Sequence, residues 1–269
     1  MTGDNPSLLT LPVRREDESE MTAAKSRVKA GTPIDVEQTT IYQRYGKRLI
    51  DASLSFVALL VLGPLLAVVG IIIKWTSRGS ILYRQDRVGR GGRIFKIAKF
   101  RSMVVGADKN GLGITVSGDA RVTRFGAFLR KSKIDEFPQL WNVLKGDMSL
   151  VGPRPELPQY VSGYTPEQRL VLQVRPGITD PASIRYRHEE AVLATSQNPD
   201  DFYRAVILPD KLAINLQYIR DISMYSDIKC VIQTMTSLFK QPKILTSAQI
   251  AGNPTRPAAL SAGKKSRTQ

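Results

Sequence analysis

The chain has 269 residues, with 39 Lys and Arg against 24 Asp and Glu, a formal net charge of +15. Residues 1–40 carry five cations against seven anions, so residues 41–269 form a body of net +17 that expects an anionic partner: nucleic acid, lipid headgroups or phosphorylated substrate. One cysteine, Cys230, excludes an intrachain disulfide and points to a reducing compartment; one histidine, His188, leaves little for His-based metal sites or a His-centred triad.

Residues 1–40 are polar, mixed in charge and without apolar period, which predicts a disordered extension. Ala52 to Ile73, "ASLSFVALLVLGPLLAVVGIII", then runs for 22 residues without a charge. As a straight helix it is about 33 Å long, enough for a hydrocarbon core of roughly 30 Å. About 50 residues precede it and no small-residue cleavage site follows, unlike a signal peptide. Gly63-Pro64 interrupts it, and a mid-helix Pro removes a hydrogen bond and bends the helix. Cations flank both ends (Arg44, Lys47 and Arg48 before, Lys74 and Arg78 after), and the positive-inside bias then favours one side for both flanks. The expected element is a re-entrant helix hairpin within residues 41–78, with a kinked spanning helix as the alternative and a buried soluble helix as the plainest one.

The next segment, "SILYRQDRVGRGGRIFKIAKFRSM", reads as a hairpin with arms at Ile81–Tyr83 and Ile94–Phe100 and Gly89, Gly91 and Gly92 between them. These glycines match neither a Walker loop nor a dinucleotide fingerprint. The cations around them, Lys99 and Arg101 included, suit a phosphate-rich surface, and lipid headgroups are the nearest one.

In "KSKIDEFPQLWNVLKGDMSLVGPRP", Pro138 is tolerated only in a first turn, which starts a helix between Ile134 and Phe137. Phe137, Leu140, Trp141 and Leu144 then form an apolar stripe, and Gly146 stops the helix. Asp135 and Glu136 fall in the cap or first turn, where negative charge is favoured; that alone explains the pair structurally. A chemical role is the further reading: one carboxylate as nucleophile on phosphorus, its neighbour as a metal ligand, with Arg121, Arg124, Arg130, Lys131 and Lys133 near enough to hold a polyanion. "VGPRPE" and "VRPGIT" set Arg154 and Arg175 in Pro-restricted turns, either plain surface turns or phosphate clamps. Residues 241–269, rich in Pro, Ala, Ser and Lys, predict a flexible tail, with a short helix near Ile244 as an option.

"KRLIDASLSF", "KIAKFRSM", "DARVTRFGAFLRKSKIDEFPQLWNVLKGDMSLVGPRPE" and "VRPGIT" together resemble the bacterial sugar transferases, the small monotopic phosphoglycosyl transferases, over roughly residues 41–240. The resemblance implies a predominantly helical α+β enzyme of the bacterial inner membrane. A Pro-broken helix kinked at Gly63 and Pro64 would anchor a cytoplasmic catalytic domain over residues 79–240. It implies a UDP-sugar as donor, polyprenyl (undecaprenyl) phosphate as acceptor, and Mg²⁺. Asp135 would attack the sugar-bearing phosphate and release UMP, and Glu136 would coordinate the metal. Arg154 and Arg175 match the arginines of the family's phosphate-side motifs and Arg130 the basic residue before the dyad; with Lys99 and Arg101 they are the expected substrate- and phosphate-binding residues. Membrane lipids are expected partners, a homodimer is compatible, and nucleic acid is not expected. A membrane-tethered basic nucleic-acid-binding protein is the competing class, but no zinc spacing or RNA-recognition pattern supports it. Three positions depart from the family: Gly63-Pro64 replaces a frequent Ser-Pro, "DPASIRYRHEE" replaces a Gly-x-Ala-Gln-Val-like segment, and Asn215 stands where an acid is common.

Overall fold

The computed structural model describes residues 40–107 and 115–239. The predicted N-terminal extension, but for Thr40, and the predicted C-terminal tail with its helix near Ile244 lie outside the described residues.

After a π-helical turn, Tyr42–Gly46, a 30-residue helix α1 (Lys47–Thr76) carries Pro64 inside it. The expectation of two short helices joined by a turn is not what is seen: the helix continues through Gly63 and Pro64. Its buried residues are confined to the two ends, Asp51 and Ser55 at one and Val69, Gly70 and Ile73 at the other. Phe56, Val57, Leu60, Val61, Leu65 and Val68 between them are exposed apolar side chains.

Both ends of α1 are fastened to the same folded body. At the N-terminal end Arg48 donates to the carbonyls of Val143 (2.5 Å) and Leu144 (2.7 Å). Asp51 accepts from the Ser149 hydroxyl at 2.6 Å, and Lys47 pairs with Asp227 at 2.5 Å. The C-terminal end packs Val69 and Ile73 against Phe100 and Leu129, with Gly70 leaving room for Ile81.

Strands β1 (Leu82–Val88) and β2 (Ile94–Phe100) pair antiparallel from Leu82↔Phe100 to Val88↔Ile94. The turn between them uses the predicted glycines: Gly91 and Gly92 have φ of 66° and 76°, a region open to residues without Cβ. Helix α2 (Arg124–Ser132) is capped by the Thr123 hydroxyl and ends at Lys133, whose φ of 60° is unusual for a side-chain-bearing residue. A 3₁₀ turn, Ile134–Glu136, leads to α3 (Gln139–Lys145), which stops at left-handed Gly146 as expected.

The predicted stripe on α3 is rotated. Leu140 and Val143 are buried with Gln139 and Asn142, whereas Trp141 is 58% exposed. The cause is the free edge of β2. Asn142 takes the inward position because its amide accepts from Ala98 N and donates to Lys96 O, each at 2.9 Å.

Strands β3 (Ser149–Val151) and β4 (Gly177–Thr179) form a short parallel pair that joins the two Arg-Pro turns. Their glycines meet back to back, since a Cβ on Gly177 would lie 2.1 Å from Gly152 N. Short helices α4 (Pro158–Val161), α5 (Pro181–Arg185), α6 (Glu189–Ala194) and α7 (Pro199–Phe202) follow, with longer α8 (Leu208–Arg220) and α9 (Met224–Phe239). The largest core among the described residues gathers Tyr160, Val161, Tyr203, Ile207 and Leu212 from this half around Val88 of β1. The architecture is mainly helical with two small sheets, as the α+β expectation has it.

Candidate active site

A cleft of about 1970 Å³ opens between the β1–β2 hairpin, α2, the 3₁₀ turn and residues 178–191. Its walls are cationic: Arg87, Lys99, Arg101, Arg130, Lys133 and Arg154 all line it. Asp135 and Glu136 sit in the same wall, 7% and 8% exposed. Lys133 in its left-handed conformation turns the chain between α2 and the pair, and neither carboxylate makes a helix-capping bond. Of the two placements expected for the pair, cap or first turn, the structure shows the first turn, and long-range cations engage Glu136.

The two carboxylates differ. Glu136 Oε1 accepts from Lys99 Nζ at 2.9 Å and from Arg154 Nη2 at 2.5 Å, while Oε2 has a longer contact with Arg154 Nη1 at 3.4 Å. Asp135 has no hydrogen bond or ion pair among the described residues, and its Oδ1 is buried without a partner. Burial alone would favour neutral Glu136, but Arg154, Lys99 and Lys133 outweigh it and hold its carboxyl well below the usual range. Burial, and then the charge of Glu136, push the Asp135 carboxyl up, with Lys99, Lys133 and Arg130 pulling back. One anion is neutralised and fixed, its neighbour is uncommitted; environments that split two adjacent acids in this way mark functional sites.

Of the predicted site residues, Lys99 and Arg154 meet at Glu136. Arg130 lines the cleft and is paired with Glu190. Arg101 lines it near the end of α1, with Nη2 donating to Ser77 O at 2.8 Å and Ser77 Oγ at 2.7 Å. Arg175 is not brought to the pair. It lies outside the cleft lining, and its Nε donates to Gly146 O at 3.0 Å, completing the C-terminal end of α3. Gly63 and Pro64 lie mid-way along α1, between its two fastened ends.

Sequence reasoning missed Lys211 and its partner. Lys211 on α8 is buried in the cleft wall and bonds Glu189 at 2.6 Å, but nothing in its local pattern separates it from any helical lysine. Residues 183–190 of the divergent "DPASIRYRHEE" segment contribute Tyr186, His188, Glu189 and Glu190 to the cleft lining. Burial, with Arg187 and Lys133 nearby, lowers the His188 pKa and favours the neutral ring.

No cluster of three metal-ligating side chains occurs among the described residues. The donors present do suit a hard cation that takes only one or two protein carboxylates and completes its shell with phosphate and water. Asp135 Oδ1 is unpartnered, and Glu136 Oε2 has only the 3.4 Å contact.

A long apolar helix fastened at both ends to the body that holds a cation-lined cleft and a buried acidic pair suits a membrane-associated protein. The chain belongs to the bacterial sugar transferase family, whose profile matches residues 42–241. It is 41% identical over 196 residues to the undecaprenyl-phosphate glucose phosphotransferase of Komagataeibacter xylinus, covering 70% of this chain and 35% of that protein. It is 35% identical over 195 residues to the UDP-N-acetylgalactosamine-undecaprenyl-phosphate N-acetylgalactosaminephosphotransferase of Aeromonas hydrophila, covering 71% and 43%. With a UDP-glucose:undecaprenyl-phosphate glucose-1-phosphate transferase of Caulobacter vibrioides the identity is 37% over 195 residues, covering 71% and 69%. The chain thus spans less than half the length of the first two relatives.

Proposed function

We propose that this protein transfers a sugar 1-phosphate from a UDP-sugar to undecaprenyl (polyprenyl) phosphate and releases UMP. The observation that carries this reading is the unequal acidic pair. Asp135 is buried, raised in pKa and free of partners, beside a Glu136 already neutralised by Lys99 and Arg154. A carboxylate oxygen of Asp135 attacks the sugar-bearing phosphorus, the bond from that phosphorus to the bridging oxygen breaks, and UMP leaves with the electron pair. A phosphate oxygen of the lipid then attacks the same phosphorus and displaces the Asp135 carboxylate, leaving polyprenyl diphosphate sugar. Lys99, Arg130 and Arg154 offset the charge gathering on the phosphoryl oxygens. Glu136 would hold Mg²⁺, which when bound would neutralise diphosphate charge. The named relatives act with glucose or N-acetylgalactosamine, so the sugar is left open, and the divergent wall of residues 183–190 is where its choice is made.

The membrane reading that fits this chemistry is re-entry on the cytoplasmic face. Both ends of α1 bind one folded body, which supports their lying on one side of the bilayer, with the exposed apolar middle of the helix dipping into the near leaflet. Cysteines introduced at Arg44 and Arg78 should both react with an impermeant reagent from the cytoplasmic side; reaction from opposite sides refutes re-entry. For the activity, purified protein in nanodiscs is given a panel of UDP-sugars with undecaprenyl phosphate and Mg²⁺. UMP should appear with one or a few sugars, and a radiolabelled phosphosugar should remain on the protein when acceptor is withheld. Full turnover by Asp135→Asn sinks the nucleophile assignment.

A further inference from the structure

Arg101 is buried to 8% exposure, yet its Nε and Nη1 have no hydrogen-bond partner. Only Nη2 is used, closing the C-terminal end of α1 at Ser77. Two unpaired donors on one buried cation are costly, and native structures keep such groups for a ligand, a water or a task. Gly79 lies over them with the Val105 side chain beside it: a Cβ on Gly79 would stand 2.2 Å from Nη1 and 2.8 Å from Val105 Cγ2, and Gly79 has a φ of +120°. A second cation converges on the same glycine, since Lys74 Nζ donates to Gly79 O at 3.2 Å.

The position of this pair of cations is as informative as its charge. Arg101 N bonds Ile81 O, so the ladder of the β1–β2 sheet continues one residue past Phe100. Lys99 and Arg101 are then two apart on an extended strand, which puts them on one face about 7 Å apart. Lys99 holds Glu136 of the reactive pair; Arg101 lies one step toward the membrane helix. Beyond it the apolar surface begins, with Trp75 85% exposed and Val68 and Ile71 half exposed on α1. A phosphate that arrives on a lipid tail lying along α1 reaches Lys74 and Arg101 before the carboxylates, whereas a soluble nucleotide enters from the open cleft.

We propose that Arg101 and Lys74, beneath and beside Gly79, form the binding pocket for the phosphate monoester of the lipid acceptor. This rests on the functional reading above and divides its site into two parts. Donor phosphates are held by Arg130, Arg154 and Lys99, and the acceptor phosphate waits at the membrane edge of the same strand. Entry of the phosphate displaces the Ser77–Ser80 main chain from Nη1 and supplies the missing partners of Nε and Nη1.

The test is binding first, without turnover. Full-length protein in phosphatidylcholine nanodiscs is titrated with undecaprenyl phosphate and, separately, undecaprenol. Wild type should prefer the phosphate at least tenfold, roughly the worth of one charge-assisted contact, and Arg101→Gln and Lys74→Gln should each lose most of that preference. In turnover, kcat/KM for undecaprenyl phosphate should fall about tenfold in both variants, while kcat/KM for the UDP-sugar stays at the wild-type value. Lys74 is exposed, so Lys74→Gln keeps the test decisive even where Arg101→Gln does not fold. The proposal is overturned by equal affinity of wild type for phosphate and alcohol, by an unchanged preference in Lys74→Gln, or by a loss confined to the UDP-sugar. It is also overturned where phosphatidylglycerol competes as well as undecaprenyl phosphate, which assigns the pocket to bulk headgroups. Absence of UMP release by wild type with every UDP-sugar refutes the functional reading separately, since the binding comparison does not depend on it.

Discussion

Replacing Arg154 by Met removes the tighter of the two cations on Glu136 while keeping the volume of the stem. The 2.5 Å bond from Nη2 and the 3.4 Å contact from Nη1 are lost together, and Glu136 is only 8% exposed. Breaking a buried ion pair from one side costs about 3–5 kcal/mol, because the partner charge is left without compensation. Here Lys99 remains on Oε1 at 2.9 Å, which halves the penalty to about 2 kcal/mol. In a domain of this size that is a fall in Tm of roughly 4–8 °C, read by thermal unfolding in nanodiscs. The loss has a pH signature. The folded pKa of Glu136 is depressed, so its contribution is complete above the ordinary value of 4.5 and disappears as pH falls through the depressed one. The gap between wild type and variant should therefore be full at pH 7 and close below pH 4.5. Adding Glu136→Gln removes the stranded charge, so the double variant should be about 1–2 kcal/mol more stable than the sum of the two singles predicts. A single variant within a degree of wild type, or strict additivity, refutes the ion-pair argument.

Asp135→Asn should be inactive and yet more stable at neutral pH. Burial raises the folded pKa of Asp135 above 3.8, so stability is lost as pH rises through that raised value and stays lost at pH 7. Asparagine avoids this, and a gain of about 1 kcal/mol, or roughly 2–4 °C, is expected at pH 7 and none at pH 3. Gly177→Ala drives a Cβ into Gly152 N and should cost more than about 4 kcal/mol, abolishing accumulation in membranes. Gly91→Ala, where the space is open and only the φ of +66° is strained, should cost about 1 kcal/mol and leave the protein in the membrane.

Features governed by short-range chemistry were legible in the chain: the apolar run, the glycine turn of the β1–β2 hairpin, the start of the first turn near Pro138 and the stop at Gly146. The acidic pair was visible too, and the family resemblance gave its members separate roles, but the electrostatic division between them was not legible. That division depends on Lys99, 37 residues earlier, and Arg154, 18 later, which select Glu136 and pass over Asp135. The α3 stripe misled for a related reason. Periodicity ranks Trp141 above Asn142 as a core residue, while the unpaired edge of β2 demands an amide. Arg175 shares the Arg-Pro-turn signature of Arg154 and yet serves the end of a helix. Equal local patterns separate only when the fold decides which carbonyl or carboxylate each guanidinium meets.

The double fastening of α1 bears on how the enzyme tolerates its surroundings. A helix that must reach the far side of a bilayer is subject to hydrophobic mismatch, and its tilt responds to lipid composition. Under the proposed re-entry, a helix clamped at Arg48 and Asp51 at one end and at Val69 and Ile73 at the other would take its immersion depth from the protein's own geometry. The height of Asp135 above the headgroups would then be a built-in dimension, indifferent to acyl-chain length, and the proposed active face could serve membranes of differing thickness.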